Sequence, residues 1–211
     1  PEDETQWENM HILFATSAGH VRRNALSDFT NIRSNGKRAM GLEEGERLIA
    51  VRSCDERSDV LLTTYEGRCI RFAVTDVREF VGRTSTGVRG IRLSQGDEIV
   101  SMTVLTQVDF TIEERDAYLK QAQRLRRQEG ESEENNNEIS LALERFEAMA
   151  ALEEFILTVS EKGFGKRTSA YEYRCTNRGG QGITTMDVTS KTGKVVASFP
   201  VKDEDDVMLV T

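Results

Sequence analysis

The chain has 211 residues, room for one large domain or two small ones, and its 37% hydrophobic content is enough to build a core. Its longest apolar runs, such as Val60-Leu61-Leu62 and Phe155-Ile156-Leu157, fall far short of the roughly 20 residues of a membrane helix, so no span crosses a bilayer. A net charge of −8 argues at first against a nucleic-acid partner, and three scattered cysteines, Cys54, Cys69 and Cys175, suggest neither a zinc site nor a disulfide framework and fit a reducing cytoplasm.

The first residues lack the basic start and apolar stretch of a secretory signal and have no initiating Met, which is the expectation for a segment of a longer protein. Residues 1–9 carry −4 and read as an acidic tail or the end of a preceding blade. The first repeat unit, 10–59, opens with Ile12-Leu-Phe-Ala-Thr-Ser-Ala-Gly19-His-Val-Arg-Arg23: an apolar strand, a tight turn with Gly supplying φ > 0, and a second strand ending in a basic residue. An acid and an apolar residue follow, Asp28-Phe29, then a basic glycine loop, Arg33-Ser-Asn-Gly36-Lys37-Arg38, and a β-rich stretch at 48–51. The second unit, 60–108, repeats this order with Val60 to Arg71 around Gly67, Asp76-Val77, the loop Arg83-Thr-Ser-Thr-Gly87-Val-Arg89, and a strand at 99–102.

Residues 109–154 have a different texture and read as an inserted helical hairpin. Thr111-Ile-Glu-Glu114 is a capping box, Tyr118, Ala122 and Leu125 share one helical face, and Ile139, Leu143, Phe146 and Ala150 line another. Between them, residues 129–138 form a polar acidic loop. The third unit, 155–206, resumes the pattern with Ile156 to Arg167 around Gly163, Glu172-Tyr173, the loop Arg178-Gly179-Gly180-Gln181-Gly182, and a strand at 195–198. Residues 207–211 open a further blade. Self-similarity at about 48 residues with four short strands per period is the signature of a propeller, in which each sheet covers its neighbour's apolar face. The fold class is therefore all-β: propeller-like blades of four-stranded antiparallel sheets, interrupted by an α-helical hairpin. Charge follows the same partition. Residues 106–155 carry −7, whereas 10–105 carry +2 and 156–211 carry +1, so the blades are basic once tail and insert are set aside.

The stretch Thr84-Ser-Thr-Gly87-Val-Arg-Gly-Ile-Arg-Leu93, the following Gly96-Asp-Glu-Ile-Val100 and Gly163-Phe-Gly-Lys-Arg-Thr168 closely resemble the C-terminal domain of DNA gyrase A subunits. The resemblance runs in register through all three repeats and leaves the helical insert outside. It implies a β-pinwheel whose rim wraps double-stranded DNA with little sequence preference, and here three of that family's six blades plus the start of another. The family's signature box, Gln-(Lys/Arg)-Arg-Gly-Gly-(Lys/Arg)-Gly, has its nearest match at Thr176-Asn-Arg178-Gly179-Gly180-Gln181-Gly182, departing at Thr176, Asn177 and Gln181. This reads as a degenerate internal copy, the true box being expected upstream of residue 1. The resemblance further implies an ATP-dependent type II topoisomerase as parent complex, an A2B2 assembly formed with the rest of the A subunit plus the B subunit, in the cytoplasm and away from membranes. ATP and magnesium would act elsewhere in that complex, with no cofactor, metal or catalytic residue in this segment. The corresponding domain of topoisomerase IV is a close alternative, and Gly87-Val-Arg-Gly-Ile-Arg92 favours gyrase. A propeller serving as a protein-interaction scaffold is the alternative from another class.

Basic residues recurring on successive blades form a track suited to DNA phosphates along a bent duplex. Arg23, Arg71 and Arg167 end the same strand in three units and are expected on one rim. Arg33, Lys37, Arg38, Arg83, Arg89, Arg92, Lys166, Arg174 and Arg178 add charge, and Gly179 and Gly180 are candidates for close backbone approach. The bland reading of each is a solvated surface charge or a turn glycine. Asp28, Asp76 and Glu172 occupy equivalent positions in different units, which favours turn capping or a local salt bridge over metal binding. No helix reads as a groove-entering element, so contacts would be to backbone.

Overall fold

The computed structural model describes residues 4–30, 32, 34–128 and 141–208. After a 3-10 turn at Glu4–Asn9, the hairpin of β1 (His11–Thr16) and β2 (His20–Ala25) is extended on the β1 side by β3 (Leu48–Cys54). The arrangement recurs with β4 (Ser58–Thr64), β5 (Arg68–Ala73), a two-residue strand β6 (Val88–Arg89) and β7 (Ile99–Thr106). Helices α1 (Ile112–Gln128) and α2 (Leu143–Ala151) come next. The last copy comprises β8 (Phe155–Ser160), β9 (Gly165–Ser169), the short β10 (Ile183–Thr184) and β11 (Val195–Val201). Each hairpin turns on the glycine that the repeat singled out, with φ of 83° at Gly19, 77° at Gly67 and 78° at Gly163.

Sheet and repeat do not coincide. β6 pairs with β2, in the register His20↔Arg89 and Val21↔Val88, and β10 pairs with β5 through Cys69↔Ile183 and Arg68↔Thr184. The fourth strand of each of the first two sheets is thus lent by the next repeat, giving the orders β3-β1-β2-β6 and β10-β5-β4-β7. The third sheet, β11-β8-β9, has three strands among the described residues. Two glycines permit the exchange. Gly87 has φ +109° and a Cβ there would lie 2.3 Å from the Val21 carbonyl oxygen; Gly182 has φ +68° and its Cβ would lie 2.1 Å from that of Cys69. Any side chain at either position collides with the strand being joined.

β7 packs against both β3 and β11, so these edges converge, and β6, β10 and β9 form the opposite, outer edges. Leu13, Val21, Val60, Leu62, Phe72, Ile91 and Met102 fill the seam between the first two sheets, and Leu61, Cys69, Leu105, Ile156 and Tyr173 that between the second and third. The middle sheet is covered on both faces, which is why every residue of β4 is buried.

The insert docks through aromatics. Tyr118 stacks on Phe146 at 4.9 Å and meets Tyr171 edge-on at 5.3 Å, with Phe110 on the other side of Tyr171 at 5.0 Å. The capping box forms: the Thr111 N–H donates to Glu114 Oε2 at 2.8 Å, and the Glu114 N–H to Thr111 Oγ1 at 3.2 Å. The buried faces differ from the expected ones. Tyr118 and Ala122 are buried but Leu125 is exposed; in α2, Met149 is buried and Phe146 half-buried, while Leu143 and Ala150 face solvent. Both helices pack on a small cluster centred on Tyr171, with Val108 and Phe110 beside it, so only part of each helix is covered. Ile139 and the acidic stretch 129–138 lie outside the described residues. So do 209–211, while Val207 and Met208 are exposed and not in a strand.

Candidate nucleic-acid interface

Arg23, Arg71 and Arg167 are equivalent in register, facing Leu13, Leu61 and Leu157 across their hairpins. They do not form an exposed rim. Arg23 is 7% exposed and Arg71 4%, because the segment that follows the next repeat's 3-10 turn runs alongside each. The Phe80 N–H donates to the Arg23 carbonyl and the Thr176 N–H to that of Arg71, both at 2.8 Å. Arg71 Nε bonds Asp59 Oδ2 and its Nη1 bonds the Ala170 carbonyl, each at 2.8 Å, so the guanidinium is spent on a seam between repeats. Arg167 is half-exposed, pairs with Asp203 at 2.6 Å and lies 4.0 Å over the Phe155 ring. The strand position of Asp59 in the second repeat is held by His11 in the first and Phe155 in the third. Arg71 meets a carboxylate there and Arg167 a ring, whereas Arg23 Nε and Nη1 are buried without a hydrogen-bond partner.

The remaining cations divide into two groups. Lys37 Nζ donates to the Asp28 and Thr30 carbonyls, Arg83 Nε to the Arg38 carbonyl at 3.0 Å, and Arg178 to the Asp76 and Arg89 carbonyls, each at 2.9 Å. Arg38, Arg89, Arg92, Lys166 and Arg174 are exposed, with no side-chain partner among the described residues. Arg89 lies on β6 with Arg92 just beyond it, and Lys166 lies on β9, all at outer edges. Arg33 lies outside the described residues. Gly179 is half-buried with φ +83°, whereas Gly180 is exposed and a Cβ there would meet nothing nearer than Ile70 Cδ1 at 3.7 Å.

Sequence reading passed over Arg22, Arg68 and Asp59. Arg22 is fully buried, bonds Asn24 Oδ1 at 2.8 Å and the Ser85 carbonyl and hydroxyl at 2.7 Å, and lies 4.6 Å from the Phe80 ring. Its burial, with Arg78 and Arg83 nearby, holds its pKa below the usual arginine value. A signal existed: Arg22 and Arg23 are adjacent on a strand, so they point to opposite faces, and in a stacked sheet both faces are covered. Arg68 bonds the Gln181 and Gly182 carbonyls at 2.8 and 2.7 Å, fixing the exchanged strand. Burial raises the Asp59 carboxyl above its ordinary value despite the opposing pull of Arg71. Asp28, Asp76 and Glu172 sit in short 3-10 turns, and Asp28 accepts from Asn24 Nδ2 at 3.3 Å. Burial pushes the Cys54 thiol up to about 11 and that of Cys69 to about 12, so both stay neutral. His11 and His20 are hydrogen-bonded to Glu79 at 3.0 Å and to Glu46 at 2.8 Å.

The family "DNA gyrase C-terminal domain, beta-propeller" matches residues 11–55, 58–106 and 154–202, leaving the insert between its second and third segments. The DNA gyrase A subunit of Granulibacter bethesdensis is 47% identical over the whole chain, and that of Rickettsia bellii 49%. Its counterpart from Staphylococcus aureus strain MRSA252 is 35% identical over 97% of the chain and is covered to 18% of its length. This chain spans about a quarter of the length of the first two, 24% of each. A solved DNA gyrase A C-terminal domain superposes with TM-score 0.64 at 21% identity, covering 94% of this chain and 51% of that one. The C-terminal domain of a DNA topoisomerase IV gives 0.64 at 18%, covering 92% and 47%. At these identities the structures speak to the fold alone.

Proposed function

The chain belongs to the DNA gyrase C-terminal domain family, and on that premise we propose that it binds double-stranded DNA along its outer sheet edges and holds the duplex in a curve. The observation that carries this reading is the separation of its cations. Inside the seams Arg22 and Arg71 are spent on carbonyls, a carboxylate and a ring, and Arg23 is buried with its Nε and Nη1 unbonded, while Arg38, Arg89, Arg92, Lys166 and Arg174 remain exposed and, among the described residues, unpartnered. Cations on successive outer edges meet phosphates along a bent duplex, and such contacts carry no base information. In the longer protein the module would wrap DNA with one hand and present a segment for strand passage, with cleavage and ATP use in other parts of an assembly of A and B subunits. Affinity of the chain for two unrelated duplexes across a range of salt tests the binding. Five phosphate contacts predict a log-log salt slope of about −4.5, from about −0.9 each, with both sequences alike. Salt-independent affinity, or strong preference for one duplex, would contradict it.

A further inference from the structure

We infer that Arg178 is a positioning residue for this DNA contact, acting through Arg89 and Arg92 instead of meeting phosphate itself. The inference rests on the duplex-binding reading and adds which side chains set its geometry. The loop 176–182 is stitched to the chain beneath those two arginines. The Thr176 N–H donates to the Arg71 carbonyl at 2.8 Å, the Gly179 N–H to the Gly90 carbonyl at 2.6 Å, and the Arg92 N–H to the Gly180 carbonyl at 2.8 Å. Across this frame the Arg178 guanidinium reaches the Asp76 carbonyl through Nε and the Arg89 carbonyl through Nη1. The backbone of residues 89–92 is therefore held from the loop side while the side chains of Arg89 and Arg92 stand free in solvent.

The same contact occurs one repeat earlier. Gly36-Lys37-Arg38 and Gly87-Val88-Arg89 are equivalent connectors, both with their glycine at positive φ. Arg83 Nε donates to the Arg38 carbonyl as Arg178 Nη1 does to that of Arg89. In each case the first arginine of one connector holds the backbone of an exposed arginine in the connector before it. At Arg178, which holds two carbonyls where Arg83 holds one, a planar fork is what the task requires. Two carbonyls in different segments need two N–H groups in fixed directions, which a lysine ammonium at the end of a flexible stem does not supply.

Lysine therefore separates the two roles. It keeps the charge that a direct phosphate contact needs and loses the fork that positioning needs. Duplex affinity and salt slope are measured for the whole chain with Arg178→Lys, Arg178→Gln, the pair Arg89→Gln and Arg92→Gln, and the combinations. Arg178→Lys is expected to weaken binding about tenfold, the loss of one charge-assisted contact, and as much as Arg178→Gln does. Neither change should have a further effect in the background lacking Arg89 and Arg92. Amide exchange at Gly90 and Arg92 should quicken in both. A lysine variant that binds like wild type overturns the proposal, and so does a loss from Arg178→Gln that persists in the double background. If Arg178 variants fail to fold, Arg83→Gln with and without Arg38→Gln poses the question one repeat earlier: a loss from Arg83→Gln that persists without Arg38 overturns positioning there. Failure of the parent reading looks different: the wild-type chain binds without salt dependence, or removing Arg89 and Arg92 changes nothing, and the positioning role falls with it.

Discussion

Arg71 is the residue at which a surface reading and a seam reading differ most in consequence. Its side chain is 4% exposed, that of its partner Asp59 is 2% exposed, and the Ala170 carbonyl supplies a further contact from the third repeat. Replacing Arg71 by Met leaves a buried carboxylate with no counter-charge. Replacing Asp59 by Asn leaves a buried guanidinium, which cannot shed its proton as a carboxyl can accept one. Breaking a buried pair costs about 3–5 kcal/mol, and for a chain of this size each kcal/mol lowers the melting temperature by about 2–4 °C. Arg71→Met should therefore melt roughly 6–20 °C below wild type, Asp59→Asn at least as low, and Arg71→Met with Asp59→Leu should recover much of the loss. The pH response has a definite sign. Burial raises the folded Asp59 pKa, so the folded state binds its proton more tightly, and acidification through the ordinary carboxylate range does not weaken the fold through this group. Thermal melts with parallel duplex titrations decide the matter. An Arg71→Met chain that melts like wild type but has a salt slope shallower by about 0.9 would return Arg71 to the surface and refute the seam.

Gly182→Ala should destabilise by more than about 1 kcal/mol, since φ is +68° and the new Cβ would fall 2.1 Å from the Cys69 oxygen; such backbone strain costs about 1–3 kcal/mol before the clash is counted. Gly180→Ala, with open space at 3.7 Å, should melt within about 1 kcal/mol of wild type, and equal losses in the two melts would contradict the strand-exchange geometry. Tyr171→Ala should cost about 3–5 kcal/mol and quicken amide exchange in α1 and α2 before β4, because both helices rest on that ring; simultaneous loss in helices and sheet would argue against a separately docked insert. Burial tends to raise the Glu46 pKa, but bonds from the Glu43 N–H, Thr16 and His20 outweigh it and leave the carboxyl below its ordinary 4.5. Its contribution is full above that value and fades as pH falls through the lower folded one, so Glu46→Gln should flatten the acid limb of stability against pH; an unchanged limb would assign it to other carboxylates.

Much of the fold was legible because its devices are local. Short apolar runs followed by glycines at a 48-residue spacing marked Gly19 and Gly67 as turns, and the change of texture at residue 109 marked the helices. Exchange of β6 and β10 was not legible. It is specified by close approach at Gly87 and Gly182, and a glycine that serves a turn looks the same in sequence as one that admits a neighbouring strand. The interface suffered from the same blindness to layers. Arg23 and Arg71 recur with the regularity of a rim, yet that regularity belongs to the seam, because each repeat lays its connector over the equivalent strand of the repeat before. What distinguishes Arg89 and Arg92 from Arg83 and Arg178 is which carbonyls lie within reach, and that depends on partners tens of residues away.

The curved path of the duplex is the claim on which the functional reading turns, and closure of nicked circular DNA in the presence of the chain tests it most directly. Ligation fixes whatever writhe the bound protein imposes, and the linking number is read after its removal. A duplex led along successive outer edges predicts a shift of one sign that grows with bound protein and shrinks when Arg89 and Arg92 are replaced by Gln. Binding that saturates while the linking-number distribution stays where free DNA leaves it would contradict the account.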